Sequence, residues 1–575
     1  MLLDFFDDIA ETFRSCNGLA ILMVIPLVLL ASPGYASQSF PVFRLQGFES
    51  GSNKNGSFGA AIAAEATTHI RLAHRKCFLM RMEETNAARL KDVVRMYPLA
   101  IVIILPDAEA TLQLSEEQQQ NWLEVESMLL EGEYPIPIYF ALQSETVMQV
   151  LSDLKEITST DSGSSAAKAL VNAIFGNGFQ IVASSPAPAQ IPVTKFANIM
   201  ASLINTRKNV ELDSLMIVAH YDAFSPSADL SKEVDASGTG PACLLSLAKT
   251  LSGLYGSPEN QPSLNVNFLL SAAGKVNFLG SNHYLQNNEQ ASKKMRLVLA
   301  LDSLNGLEAD SDTLYFHRKT AKSTSNAQLQ DLLRFQQILE QTATDAGLKF
   351  EVVFRRPNAD QWFQWEHERY SGYRAATISG HSNPYHPMRK SLLDNGQKIN
   401  SRKLITKMEV VQKAVLQYLY NVSQVLHEED QKNYYQQYQG LVSEEEVETL
   451  MHYVATQPHS SQYLGKGHPY VRSLYRSLSR YGKLAAIHEF SLDFSPSSAG
   501  AASVRKEDVV FYDQKQAIAF AYKVKPAVFD LFLSVAIAAY VGLVYLSVLS
   551  VPMLHSYLQS KLLFPQQSSP KQKAK

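Results

Sequence analysis

Three cysteines in 575 residues (Cys16, Cys77 and Cys243) are too few for a disulfide framework. An excess of one charge is also missing. Fifty-two Lys and Arg stand against 55 Asp and Glu, a net charge of −3, so no global field favours nucleic acid. No repeat period appears, and no Gly-x-Ser-x-Gly elbow. Gly238-Thr239-Gly240 lacks the third glycine of a dinucleotide fingerprint, with Cys243 in its place. Trp365-Glu366-His367-Glu368 begins like a zincin helix, but the fourth residue after His367 is Ser371, not histidine. What is present is ample apolar material: 46% hydrophobic and 19% charged residues exclude wholesale disorder and a multi-spanning membrane protein. The length suits several units rather than one.

Both ends carry apolar runs. Residues 19–31 form a 13-residue run followed by Gly34-Tyr35-Ala36, which reads as a secretory signal (1–36) cleaved after Ala36. Asp4, Asp7, Asp8 and Glu11 outnumber Arg14 before it, as an uncleaved anchor would also allow. Residues 531–554 contain no charge over 24 positions, about 36 Å as a helix, enough to cross a bilayer within an expected span at 527–554. Lys561, Lys571, Lys573 and Lys575 follow, which places the tail (555–575) in the cytosol and the bulk of the chain in the lumen. Lys571 and Lys573 also resemble a dilysine retrieval signal, and read equally as an ordinary basic stop-transfer flank. Asn55-Gly56-Ser57 and Asn421-Val422-Ser423 are glycosylation sequons on the luminal side. Removing the signal leaves Cys77 and Cys243, expected as two buried free thiols.

Between the ends, short apolar runs alternate with helical patterns. Residues 99–106, 135–142, 214–222, 264–272 and 296–304 read as strands buried on both faces, and 241–255 as a crossover helix. The expected fold is α/β: a mostly parallel sheet with helices on both faces, and a smaller N-terminal lobe (37–190) ahead of the sheet domain (191–430). Charged helix formers after 430 predict a helical membrane-proximal segment over 431–526.

Polar residues stand where strands end: His220 and Asp222 after 216–219, Asp302 after 297–301, and His386 in Ser382–Pro387. Ligands in open α/β sheets bind at such ends, and a His–Asp–His set would suit zinc. In this order the residues resemble the M28 family of dizinc aminopeptidases. His220-Tyr221-Asp222 matches that family's His-x-Asp, Asp302 its later strand-end ligand, and Tyr385-His386 its last. Ala236-Ser237-Gly238 and Phe278-Leu279-Gly280-Ser281 match its scaffolding. By the same alignment Val234 takes the bridging carboxylate's place, with Asp235 one position late, and Gly274 and Lys275 take the places of the Glu-Glu pair. Gly274 has no group to act as general base, and a protonated lysine has no lone pair for a metal. The resemblance therefore implies a degenerate site, with no catalytic residue, no metal and no cofactor. Lys275 is expected to stand where a metal stood, neutralising Asp302 and Asp222.

Ile217–Phe224, Trp365–Arg369, Tyr420–Ser423, Phe511–Gln514 and Val524–Asp530 further resemble the nicastrin–nicalin branch of that family. The resemblance implies an endoplasmic-reticulum membrane protein, not a peptidase. It implies association with a Nodal modulator protein, a small multi-spanning membrane protein and the Sec translocon with its ribosome-associated insertion machinery. A role in inserting multi-pass membrane proteins, and in restraining Nodal signalling, would follow. Ala536, Ala538, Ala539 and Gly542 could give the span a close-packing face, or the helix could merely anchor. Two other readings stay open: a membrane-tethered metallo-aminopeptidase, and a luminal receptor module for peptide termini.

Overall fold

The computed structural model describes residues 36–51, 53–161, 178–206, 212–258, 261–306, 312–320, 327–355, 364–370, 372, 374–423, 442–493, 509–513, 516–524 and 527–563. Residues 1–35 of the expected signal, with Cys16, and the last dozen residues with their lysines lie outside that set, while Ala36 opens the first strand.

At the centre are four parallel strands in the order Asn265–Ser271, Ser214–His220, Met295–Asp302 and Ala375–Ser379. Their sequences are nearly continuous apolar runs because both faces are covered. Ile217 lies level with Phe268 on one side and Leu299 on the other. With Ala219 and Leu301 these residues pack under the helices Gly240–Gly256 and Ser401–Ser423. Met216, Val218, Leu269 and Val298 face the other way, against Tyr284 of the helix Leu279–Asn287 and Tyr370. Toward the edges the sheet stops being parallel. Val193–Leu203 runs antiparallel to Asn265–Ser271 and to Lys483–Asp493, and Thr313–Lys319 runs antiparallel to Ala375–Ser379. The eight-stranded sheet is therefore mixed.

The second sheet is a closed seven-stranded barrel: Ala36–Arg44, Ala517–Val524, Gly178–Ala183, Ile62–Thr67, Cys77–Arg81, Ala100–Leu105 and Ile138–Leu142. Its first strand pairs Ser39 with Phe520 on one side and Val42 with Ala141 on the other. Closure removes the unpaired edges that would otherwise template aggregation. One core of the barrel joins Val42, Ile62, Ala519 and Ala521 with Val147, Val150 and Leu151 of the helix Glu145–Asp161. Phe78, Ile101, Ile103 and Phe140 pack instead against the helices Ala87–Arg95 and Glu116–Glu131. A four-stranded sheet (Val509–Phe511, Phe48–Ser50, Asn53–Ser57, Glu133–Tyr134) stands beside the barrel. Cys77 and Cys243 are buried free thiols in separate cores.

Two expectations change. Residues 431–526 are not a helical segment. After the helices Glu444–Thr456 and Pro469–Ser479 come three strands, each in a different sheet: Lys483–Asp493 edges the main sheet, Val509–Phe511 pairs with Phe48–Ser50, and Ala517–Val524 closes the barrel. Their partners lie hundreds of residues upstream, and no local pattern reveals such pairing. For the same reason the N-terminal lobe is not self-contained. Second, a 37-residue helix covers Ala527–Leu563, but among the described residues no helix is long and apolar enough to cross a membrane. The span rests on the sequence reading.

Candidate functional site

The carboxyl ends of the parallel strands deliver His220, Ser271, Asp302 and Ser379 to one edge of the sheet. Above them lies a cleft of about 570 Å³. Its far wall is supplied by the small sheet, through Phe48 and Asn55, and by Glu126 of the helix Glu116–Glu131. Glu126 accepts from the backbone N–H of Leu392 at 3.1 Å, and burial pushes its carboxyl up to about 7.

His220 is buried on the cleft floor. Among the described residues neither ring nitrogen has a hydrogen-bond partner, and Nδ1 lies 3.9 Å from Asp302 Oδ2. Burial lowers the imidazole's pKa, against the opposing pull of Asp302. Asp302 accepts from Arg389 Nη2 at 2.5 Å and from Ser303 Oγ at 2.8 Å. Burial alone would raise its pKa, but Arg389, His220 and Lys275 together hold it below the usual carboxylate value. Arg389 also sits over the Trp365 ring at 4.3 Å.

The loop after Asn265–Ser271 is tightly wound, with Ala273, Asn277 and Phe278 all at left-handed φ. It aims the backbone N–H groups of Gly274 and Lys275 at Asp222, at 2.6 and 3.1 Å, while Ser461 Oγ donates to the same carboxylate at 2.5 Å. Three donors leave Asp222 fully engaged. A Cβ at Gly274 would overlap Cβ and ring carbons of His220, so the imidazole fills the space that a side chain at 274 would need.

Lys275 does not reach Asp302 or Asp222 with its ammonium, contrary to expectation. Nζ pairs with Glu233 Oε2 at 3.0 Å and donates to the Arg389 carbonyl at 2.7 Å. Glu233 has left-handed φ and precedes the π-helical turn Val234–Thr239. This turn directs Asp235 away from the cleft: its carboxylate accepts from the backbone N–H groups of Asn305 and Gly306 and from Thr239 Oγ1, and lies 3.5 Å from His381 Nε2. Val234 is buried in the main core. His386 lines the cleft, half-buried and stacked on His381 at 5.1 Å, and its Nδ1 accepts from the N–H of Met388. It caps the short turn Pro387–Lys390 that carries Arg389.

The structure thus gathers His220, Gly274, Lys275 and His386 on the cleft wall, sets Asp222 and Asp302 behind them, and sends Asp235 elsewhere. Glu233, Arg389 and Ser461 are the participants that sequence reading missed. One signal was available for Glu233: a buried lysine calls for an acid, and this one adjoins Val234. Nothing local marks Arg389 or Ser461. These residues do not fit a dizinc centre, because Asp302 and Glu233 are already bound to cations of the chain. Among the described residues no group of three or more His, Cys, Asp and Glu could hold a metal.

The Trp365–Glu368 stretch is structural. Glu366 accepts from Ser271 Oγ at 2.6 Å and Ser281 Oγ at 2.5 Å, and burial pushes its carboxyl up to about 7. His367 Nδ1 meets Thr377 Oγ1 at 2.9 Å. Of the sequons, Asn55 lines the cleft from a strand, with the Ser57 hydroxyl buried on the Ile136 carbonyl. Asn421 falls in the last turn of the helix Ser401–Ser423.

Comparison with known proteins agrees with this geometry. Residues 198–413 match the model of Peptidase family M28. The chain is 29% identical over 565 residues to the human protein named BOS complex subunit NCLN, covering 95% of this chain and 96% of that one. It is 23% identical to the Caenorhabditis elegans protein named Nicalin, covering 94% and 96%. Among solved structures, the gamma-secretase component nicastrin superposes with a TM-score of 0.57 at 11% identity, covering 86% of this chain and 100% of that one. That likeness concerns the fold.

Proposed function

We propose that the chain, which is similar to nicalin-named proteins over nearly its whole length, is a non-catalytic, M28-peptidase-like subunit of a membrane complex of the endoplasmic reticulum. The observation that carries this reading is at Gly274 and Lys275. The first offers no proton acceptor and has its side-chain space filled by His220, and the second brings a cation bound to Glu233. Water activation by a metal and a carboxylate base has no groups to use there. Relatives matched over nearly the whole chain are named as subunits of the BOS complex, which supports the assembly role.

In this reading residues 1–36 are a cleaved signal and the folded body is luminal, with 191–430 as its inactive aminopeptidase-like domain. Residues 527–554 cross the membrane once, and 555–575 face the cytosol. Exposed Leu531, Val535, Leu543 and Leu546 on the C-terminal helix suit lipid or partner helices. Asn55 and Asn421 would carry glycans. The partners are a Nodal-modulator-like protein, a small multi-spanning membrane protein and the Sec translocon. The work is insertion of multi-pass membrane proteins, with restraint of Nodal signalling as a further consequence.

Native purification of the full-length protein from microsomes in mild detergent tests this. Near-equal recovery of a Nodal-modulator-like protein and of translocon subunits is the expected result. A protein that emerges alone, with about two zinc ions per chain and chelator-sensitive peptide hydrolysis, would return the enzyme reading.

A further inference from the structure

Two loops at one end of the barrel form a surface far from the cleft. Residues 68–76 lead into the strand Cys77–Arg81, and residues 96–99 into Ala100–Leu105. Backbone bonds clasp the two loops together: the Arg75 N–H donates to the Tyr97 carbonyl at 3.2 Å, and the Leu99 N–H to the Lys76 carbonyl at 2.9 Å. Arg75 and Tyr97 both have left-handed φ, a conformation that costs energy for residues other than glycine. The strained tips hold apolar side chains out into solvent. Tyr97 is 77% exposed, Leu99 49% and Leu72 47%. The charges around them are mostly of one sign: Arg71, Arg75, Lys91 and Arg95 are all exposed. Arg95 lies 3.6 Å from Asp92, and Lys76 pairs with Glu65 at 3.0 Å. Among the described residues, Arg71, Arg75 and Lys91 have no acid within ion-pair distance.

The barrel's register says what lies beside this end. Glu65 pairs with Gln180, and Gln180 with Tyr522, so these three residues are level across neighbouring strands. A Cβ at Gly178 would lie 3.7 Å from both Glu65 Oε1 and the Val524 carbonyl oxygen. Glu65 is the residue that Lys76 holds. The loop 68–76 therefore adjoins the end of the strand Ala517–Val524, and the helix Ala527–Leu563 starts three positions further on. Three residues reach about 10 Å at most. Apolar tips ringed by cations suit the boundary of a bilayer, where tyrosine and leucine enter the headgroup layer and Arg and Lys meet lipid phosphates.

We propose that this end of the barrel seats on the anionic headgroup layer of the bilayer that the C-terminal helix enters, with Tyr97, Leu99 and Leu72 inserted and Arg71, Arg75 and Lys91 on lipid phosphates. The proposal rests on the reading of that helix as a membrane span. It gives the folded body a second hold on the membrane, which fixes its tilt instead of leaving it to swing on a two-residue link.

Fluorescence quenching of the full-length protein in lipid nanodiscs, with no partner protein present, tests it. A fluorophore is placed on Tyr97→Cys, on Leu112→Cys or on Tyr545→Cys in a Cys16→Ser background, where Cys77 and Cys243 are buried and do not label. Leu112 is 55% exposed at the opposite end of the barrel, and Tyr545 is 63% exposed on the C-terminal helix. In discs of phosphatidylcholine with phosphatidylserine, a spin label on the lipid headgroup should quench the Tyr97→Cys label about twice as strongly as the Leu112→Cys label or more. Adding Arg71→Glu and Arg75→Glu should erase that difference. A spin label deep in the acyl chains should quench the Tyr545→Cys label. Equal quenching at 97 and 112 while 545 is quenched overturns this proposal and leaves the span intact, and it passes the patch to a partner protein. A difference unchanged by the two charge reversals also overturns it. Absence of quenching at 545 overturns the span reading itself, and this proposal with it.

Discussion

At the scale of single residues, the cleft rests on two internal ion pairs, Lys275 with Glu233 and Arg389 with Asp302. A buried ion pair adds little net stability, yet removing one partner strands a charge and costs about 3 kcal/mol. Lys275→Met should therefore lower the thermal midpoint by several degrees. Adding Glu233→Gln should recover most of that loss and adding Asp302→Asn should not, since the ammonium's close partner is Glu233. Gly274→Glu cannot recreate a base. The new side chain would collide with His220, so reduced stability of at least about 2 kcal/mol and no peptide hydrolysis are expected, read by denaturant titration and a chromogenic peptide. His220, Asp302 and Lys275 are legible in the sequence because strand-end polar residues interrupt apolar runs. Glu233 and Arg389 are not, because a left-handed residue before a π-turn and a guanidinium reaching back from a later loop leave no periodic trace.

At the scale of elements, Glu366 ties the strand end Ser271 to Ser281 of the helix Leu279–Asn287. Its carboxyl titrates at about 7 in the fold and near 4.3 when unfolded. Between those values the folded chain holds the extra proton, so this group's contribution to stability falls as pH rises from about 4.5 to 7. Glu366→Gln keeps an acceptor for both serines and removes the titration. Its midpoint should gain on the parent as pH rises through that window, and parallel curves would contradict this origin. The five central strand runs were visible because burial on both faces demands continuous apolar sequence. The strand Ala517–Val524 was hidden differently: its alternation of buried Ala517, Ala519 and Ala521 with exposed Ile518 and Phe520 is regular, but it is short and lies beyond a long stretch of helix formers.

At the scale of the whole molecule, the two bodies share the C-terminal portion of the chain, which supplies an edge to one sheet and the closing strand to the other. A fragment ending at residue 493 should retain the main sheet's edge but leave the barrel open, and therefore be degraded rapidly in limited proteolysis. One ending at 524 should resist. Chelators should leave the full-length protein's thermal midpoint unchanged, because its buried carboxylates are neutralised by Arg389 and Lys275 instead of by metal.

The pairing of Ser39 with Phe520 also sets a schedule. A ribosome adding about 5–20 residues per second needs roughly half a minute to a minute and a half between finishing the first strand and starting its partner. Throughout that interval the nascent barrel is an open sheet with two raw edges. The chain must therefore be sheltered during its own synthesis, and its last folding step comes just before the C-terminal helix leaves the exit tunnel.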